Sequence, residues 1–90
     1  MKDIIYKANG EVIETSPKNG NYYTLEELKE IVGGYIEIVR LNKKEIMVVN
    51  EEGKLNNLPY NDNATLRFRF FKTTDFIVGD ALVCHTSRIR

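Results

Sequence analysis

Ninety residues with a hydrophobic content of 42% are enough for one core, so we expect residues 1–90 to form a single compact domain. Thirteen basic residues balance thirteen acidic ones, and a net charge of zero argues against duplex nucleic acid as a partner, because such binders usually carry a positive excess. One cysteine, no apolar run near the ~20 residues of a membrane span and no signal-peptide pattern indicate a cytoplasmic protein that does not bind membranes.

The first 23 residues predict a β-hairpin followed by a loop. Two β-prone runs in "DIIYKANGEVIET" flank Asn9-Gly10, and Asn-Gly supplies the positive φ angles of tight hairpin turns. The next segment, "SPKNGNYY", contains Pro17, Asn19 and Gly20, which are typical of a loop.

The clearest helix is predicted over residues 24–32. Thr24 and Glu27 have the spacing of a capping box, in which each side chain bonds the backbone N–H of the other residue. Apolar residues recur at helical spacing and form one stripe, at Leu25, Leu28 and Val32.

Gly33 and Gly34 follow this helix and allow two interpretations. Glycine readily adopts the left-handed conformation that ends many helices, so Gly33 can stop the helix and Gly34 can let the chain reverse into a strand. Two adjacent glycines can also leave backbone N–H groups uncovered for a phosphate. The sequence leaves both roles open.

Residues 35–41 predict a strand with two mainly apolar faces. Tyr35 and Glu37 share one face, while Arg40 lies on the other. This pattern suits a central strand that is covered on both sides, or a strand at a subunit interface. We therefore expect Glu37 to be half-buried, with either Arg67 or Arg69 or a ligand group as its partner.

The C-terminal third predicts a second helix and a last strand. Asn61 or Asn63 can cap a helix over 62–71, although "LRFRFF" also alternates as a strand does. The segment "FIVGDALVCHT" is rich in β-formers. The fold class is therefore α+β: a small, mainly antiparallel sheet with one clear helix (24–32) and a second short one (62–71), in the order ββαββ(α)β.

No catalytic or metal-binding pattern emerges. Cys84 and His85 are neighbours in a strand, so their side chains point to opposite faces, which opposes a Cys–His pair. Cys84 is best interpreted as a small buried hydrophobe and His85 as an edge or surface residue. We expect a non-enzymatic protein without metal or cofactor; an enzyme that uses Glu37 and a second carboxylate is the remaining catalytic hypothesis.

Polar and aromatic residues on turns suggest recognition of a small polar molecule. Asn50 and Asn61 offer hydrogen-bond donors and acceptors, and Tyr60 offers a flat ring with a hydroxyl. The alternative is that both asparagines hold turns and helix caps.

Six short blocks along the chain resemble a family of short phage, plasmid and bacterial proteins that is known as a domain of unknown function. The blocks fall at Leu25–Leu28, Val32–Glu37, Asn50–Gly53, Leu58–Asn61, Ala64-Thr65 and Ile77–Asp80. The resemblance extends roughly from Tyr22 to Val83. It implies a phage or mobile-element origin, a compact α+β fold and a helix that begins at Ala64-Thr65.

By analogy with small phage proteins that act against host defence, the resemblance suggests a homo-oligomeric sponge that sequesters an immune signalling nucleotide in the host cytoplasm. In that hypothesis the glycines bind a phosphate, a tyrosine stacks on a base and an arginine neutralises charge. Glu37 or Asn50 then contacts ribose or base edges. The candidate ligand-binding residues are Gly33, Gly34, Tyr35, Glu37, Asn50, Tyr60, Asn61, Arg67 and Arg69. The alternative is an interaction module that binds a host or phage protein through a sheet edge or an aromatic patch.

Overall fold

The computed structural model describes residues 2–69 and 75–89. Its strands are β1 (Asp3–Tyr6), β2 (Val12–Thr15), β3 (Ile36–Arg40), β4 (Glu45–Asn50) and β5 (Ala81–His85). Its helices are α1 (Leu25–Val32) and α2 (Asp62–Arg69), and a short 3-10 turn (Thr86–Arg88) follows β5. The predicted α+β class and the element order ββαββαβ are confirmed.

The five strands form one antiparallel sheet in the order β2-β1-β5-β4-β3. The strand that completes the sheet, β5, is the last in the chain and lies at its centre. The first hairpin is confirmed, but its loop spans residues 7–11, where the Lys7 N–H donates to Glu11 O at 2.9 Å, so it is longer than a two-residue turn.

Helix α1 begins and ends where the sequence predicts. The Thr24 hydroxyl accepts from the Glu27 N–H at 3.2 Å, and the Glu27 carboxylate accepts from the Thr24 N–H at 3.1 Å. Gly33 ends the helix in the left-handed region, with φ 80°. A Cβ on Gly34 would lie 3.0 Å from Nδ2 of Asn50, so the second glycine lets the chain pass close to that buried side chain.

The residues of α2 form a helix, and the alternative strand interpretation of "LRFRFF" is wrong for the described part. Its buried side chains, Ala64 and Thr65, and the partly buried Phe68 follow helical spacing, while Leu66 is 70% exposed. Asn61 starts the helix by accepting from the Ala64 N–H at 3.0 Å. The predicted end of this helix at residues 70 and 71 lies outside the described residues.

The two helices cover opposite faces of the sheet, which explains why β4 and β5 are almost entirely buried. Side chains of these strands alternate between two clusters. The α1 cluster comprises Tyr23, Leu28, Val32, Ile46, Val48, Leu82 and Cys84. The α2 cluster comprises Leu41, Met47, Val49, Ala64, Ile77, Ala81 and Val83.

The sequence-based placement of β3 in the centre of the sheet is wrong, because within residues 2–69 and 75–89 β3 is an edge strand that pairs with β4 alone. Ile36 and Val39 pack against opposite clusters, which accounts for the two apolar faces of its pattern. Ile38 remains 46% exposed, and Glu37 is exposed instead of half-buried. The second interpretation, a strand at a subunit interface, remains a prediction.

A buried polar cluster ties the two ends of the described chain together. The Tyr23 hydroxyl donates to Asp3 at 2.7 Å, and Nε of Arg88 lies 3.6 Å from the same carboxylate oxygen. Burial raises the pKa of the Cys84 thiol to about 12, with a smaller contribution from the charge of Asp3. Burial, followed by the bond to Asp3, also raises the pKa of Tyr23 well above its usual value.

Alkaline pH is therefore expected to destabilise the fold. A group whose pKa is raised by folding stabilises fully below its unfolded pKa, and that stabilisation is lost as the pH rises toward its folded pKa. For Cys84 this window runs from about 9 to about 12, with a slope of up to about 1.4 kcal/mol per pH unit. Urea unfolding at several pH values gives the free energy of unfolding as a function of pH. Between pH 9 and 12 this free energy should fall less steeply with pH in Cys84→Ala than in the unchanged protein. An equally steep fall in the variant would contradict the assignment to Cys84.

Candidate functional site

A groove of about 350 Å³ lies between α1 and the β1–β2 hairpin. It forms because α1 packs over β3, β4 and β5, so the two hairpin strands extend beyond the helix. We call it the hairpin groove. Every residue that lines it belongs to the described part of the chain.

The floor of the hairpin groove is apolar. Ile5 and Ile13 are opposite each other in the β1–β2 ladder, and Ile31 of α1 forms the side toward the helix. Ile13 is 38% exposed, so part of its side chain is accessible to a ligand in the groove. The floor can therefore accommodate an apolar or planar part of a ligand.

One end of the hairpin groove is formed by the segment after β2 and the first turn of α1. Thr15, Ser16 and Lys18 line it together with Glu27. Both carboxylate oxygens of Glu27 are already used, because one accepts from Thr24 and the other from the Lys18 N–H at 3.0 Å. These backbone donors hold the pKa of Glu27 below its usual range, so the carboxylate is fixed in its ionised form.

The other end of the hairpin groove contains Lys7 and Asp80. Asp80 accepts from the Ala8 N–H at 2.9 Å and so fixes the start of the hairpin loop. The ammonium groups of Lys7 and Lys18 form no ion pair within residues 2–69 and 75–89. The hairpin groove thus combines an apolar floor with two lysines, two hydroxyls and the three carboxylates of Glu27, Glu30 and Asp80.

The backbone N–H groups of Gly33 and Gly34, which were predicted to bind a phosphate, are bonded within the chain. Both N–H groups donate to the carbonyl of Lys29, at 2.8 Å and 3.1 Å, and close the end of α1. Tyr35 is 63% exposed, and the Lys29 ammonium lies 5.1 Å from the centre of its ring. These contacts support the structural role for the two glycines.

Glu37 and Asn50 do lie together, at a second cavity of about 290 Å³. No ion pair of Glu37 occurs within the described residues, so the structural partner expected for it is not found there. Asn50 is buried and donates to Val32 O at 3.2 Å while accepting from the Glu52 N–H at 2.8 Å. Asn50 therefore anchors the end of α1 and the following turn.

The remaining predicted residues lie in several separate parts of the structure. Tyr60 stacks on Phe76 at the rim of the second cavity, with ring centres 5.7 Å apart. Asn61 is 1% exposed and caps α2. Arg67 pairs with Glu45, and Nε of Arg69 donates to Asp75 O at 3.1 Å. The nine predicted residues do not form one pocket.

The family described as "Domain of unknown function (DUF3846)" matches residues 1–89, nearly the whole chain. The chain belongs to this family. No curated protein and no solved structure matches the chain significantly.

In this DUF3846 domain, Cys84 and His85, the two side chains with the most reactive chemistry, have structural roles. Cys84 is buried, as predicted, and its raised pKa keeps the thiol protonated at neutral pH. Nδ1 of His85 accepts from the Ser87 N–H at 3.0 Å and caps the 3-10 turn. Among the described residues no helix is long and apolar enough to cross a membrane.

The sequence interpretation missed the hairpin groove of the DUF3846 domain. Its residues come from the β1–β2 hairpin, the loop after β2, α1 and Asp80, and only the folded chain brings them together. One signal was available, because Ile5 and Lys7 lie on one face of the first strand while Ile13 and Thr15 lie on one face of the second.

Proposed function

We propose that this DUF3846 domain is a non-enzymatic binding protein for a small polar molecule, and that the hairpin groove is its binding site. One observation carries the proposal: a groove with an apolar floor of three isoleucines is bordered by charged and hydroxyl side chains, two lysines and three carboxylates among them. Pockets for small molecules commonly combine apolar walls with a few placed polar groups. A planar base suits the apolar floor, and the polar groups around it can bond base edges and ribose hydroxyls, so a nucleotide is the ligand class that we propose.

The resemblance to phage and mobile-element proteins extends this proposal to a role. A homo-oligomeric sponge that sequesters an immune signalling nucleotide in the host cytoplasm would need binding without turnover. The buried thiol and the capping histidine are compatible with that requirement.

The proposal is tested by thermal shift with cyclic and linear nucleotides. A ligand at ten times its Kd adds about 1.4 kcal/mol to the free energy of unfolding. For a domain of this size the melting temperature then rises by about 6–11 °C. If no nucleotide raises the melting temperature at millimolar concentration, the nucleotide proposal fails.

Two matched variants locate the site. Ile13→Asp places a carboxylate in the floor of the hairpin groove, whereas Ile38→Asp changes a similarly exposed isoleucine on the other edge strand. We expect Ile13→Asp to weaken nucleotide binding by about ten-fold or more, because it removes apolar contact and repels an anion. Ile38→Asp should bind as the unchanged protein does, and equal losses in both variants would contradict the groove assignment.

An interaction module that uses the β3 edge is the second candidate. It is favoured by the 46% exposure of Ile38 on an edge strand that ends the sheet without a further partner in the described chain. In native mass spectrometry of the same two variants, this candidate requires that Ile38→Asp weakens homo- or hetero-association and that Ile13→Asp leaves it unchanged.

A further inference from the structure

Strand β3 ends the sheet in the described chain, and alternate backbone groups of this strand point to the open edge. In the ladder with β4, the Leu41 N–H donates to Glu45 O at 3.0 Å. Hydrogen-bonded residues alternate along an antiparallel pair, so the odd-numbered residues of β3 bond β4. The N–H and C=O groups of Ile36, Ile38 and Arg40 therefore face away from β4, toward the edge.

Large apolar side chains border this edge on the face that α1 covers. Ile36 packs against the α1 cluster, and Ile38, two residues on, lies on the same face and is 46% exposed. The Lys29 ammonium lies 5.1 Å from the ring centre of Tyr35, the residue before β3, so Lys29 is on the β3 side of α1. Leu25, one helical turn earlier on that side, is 54% exposed. Edge-facing backbone groups beside exposed apolar surface favour another strand as the occupant.

The sequence of β3 favours one register for pairing with a second copy of the chain. In this register a two-fold axis places Ile38 opposite its own copy, and Ile36 opposite Arg40 of the other copy, so all three edge-facing residues exchange hydrogen bonds. The next register in one direction places Glu37 directly opposite its own copy, which is unfavourable for like charges. The next register in the other direction pairs Ile36 with Asn42, beyond the end of β3.

The favoured register places no like charges directly opposite each other. The two Glu37 side chains become diagonal neighbours about 7–8 Å apart, and they are exposed, so water and salt screen their repulsion. The two Arg40 residues are separated by four positions along the strand, or about 13 Å. The charges of β3 are therefore compatible with self-pairing.

The other edge of the sheet, β2, offers less to a second copy. The Lys7 N–H donates to Glu11 O, so by the same alternation Val12 and Glu14 face that edge. Glu14 also forms an ion pair with Lys2, at 3.2 Å. β2 therefore has two edge-facing residues against three in β3, and one of the two is a carboxylate, which discourages edge pairing.

We propose that β3 pairs with β3 of a second copy, so that two five-stranded sheets join into one antiparallel sheet of ten strands. The two-fold axis is perpendicular to the sheet and passes between the two Ile38 residues, and both α1 helices lie on one face. The hairpin grooves lie toward the two outer ends of this sheet and remain open. The inference goes beyond the proposed function, and neither requires the other.

A charge swap at position 38 tests this pairing. Ile38→Asp and Ile38→Lys each place like charges opposite each other at the axis, and each should weaken self-association about ten-fold or more in analytical ultracentrifugation. An equimolar mixture of the two variants should form a heterodimer in native mass spectrometry, because the charges at the axis are then opposite. Ile13→Asp, on the other edge strand, should associate as the unchanged protein does. Circular dichroism checks that all three variants are folded.

Amide hydrogen exchange provides a second measurement, on the unchanged protein. The N–H groups of Ile36 and Ile38 should exchange more slowly as the protein concentration rises, whereas those of Val12 and Glu14, at the other edge, should not change. A monomer at every concentration, no heterodimer from the mixture, or an equal effect of Ile13→Asp would overturn the inference. Absence of nucleotide binding by a protein that still dimerises in this way would reject the proposed function alone.

Discussion

Replacing Asn61 with alanine is expected to lower the free energy of unfolding by about 3 kcal/mol or more. The side chain is 1% exposed and satisfies three backbone groups at once. Its oxygen accepts from the Ala64 N–H at 3.0 Å, while its nitrogen donates to Tyr6 O at 2.8 Å and Gly79 O at 2.7 Å. Alanine removes a helix cap, which costs about 1 kcal/mol, and leaves two carbonyls without this donor, at about 1 kcal/mol or more each.

Urea denaturation followed by circular dichroism measures this change. Asn63→Ala is the matched control, because Asn63 lies in the same segment and makes one long, exposed contact of 3.5 Å to Gly10 O. The control should change the free energy of unfolding by less than about 0.5 kcal/mol. Similar values for the two variants would show that Asn61 does not join α2 to the sheet as described.

Leu82→Ala is expected to destabilise the protein by about 3–4 kcal/mol. Leu82 is fully buried in β5, the central strand, and belongs to the α1 cluster. Truncation of a buried leucine loses apolar contact and leaves a cavity, which together cost about 2–5 kcal/mol. A domain of this size has a total stability of only about 5–13 kcal/mol, so the effect is large.

Two further variants keep this second prediction testable. Leu82→Met conserves volume and should cost less than about 1.5 kcal/mol. Leu55→Ala removes a side chain that is 78% exposed and should cost less than about 0.5 kcal/mol. If Leu82→Ala proved no more harmful than Leu55→Ala in urea denaturation, β5 would not be the core strand that the sheet order requires.

Local signals account for the parts of the fold that the sequence predicted well. The capping box of Thr24 and Glu27 and the glycine at position 33 act within one helix, so a short window contains all the necessary information. The cap at Asn61 is similarly local, and it explains why the helix forms despite the alternation of "LRFRFF".

The order of the strands depends on contacts between segments that are far apart in the chain, so no short stretch of the sequence predicts it. β1 pairs with β5 across more than 70 residues, and this pairing places β3 at the edge. Ile36 and Val39 still pack on opposite faces of that edge, so β3 has the pattern of a covered strand. The expected burial of Glu37 was wrong for this reason.

The candidate site was less predictable than the fold. Asn50 and Asn61 resemble recognition residues in the sequence, yet their amides bond backbone groups far along the chain. The hairpin groove arises because α1 covers only part of the sheet, and this depends on where the helix packs. Lys7 and Lys18 are unremarkable in the sequence, and only the fold brings both of them to the hairpin groove.

The most direct test of the hairpin groove as a binding site is chemical-shift mapping with the nucleotide that stabilises the protein most. We predict that the amide shifts change mainly in residues 5–18 and 27–31, on both sides of the hairpin groove. Changes centred on β3 or on the cavity of Glu37 and Asn50, or no saturable change with any nucleotide, would contradict the proposed site.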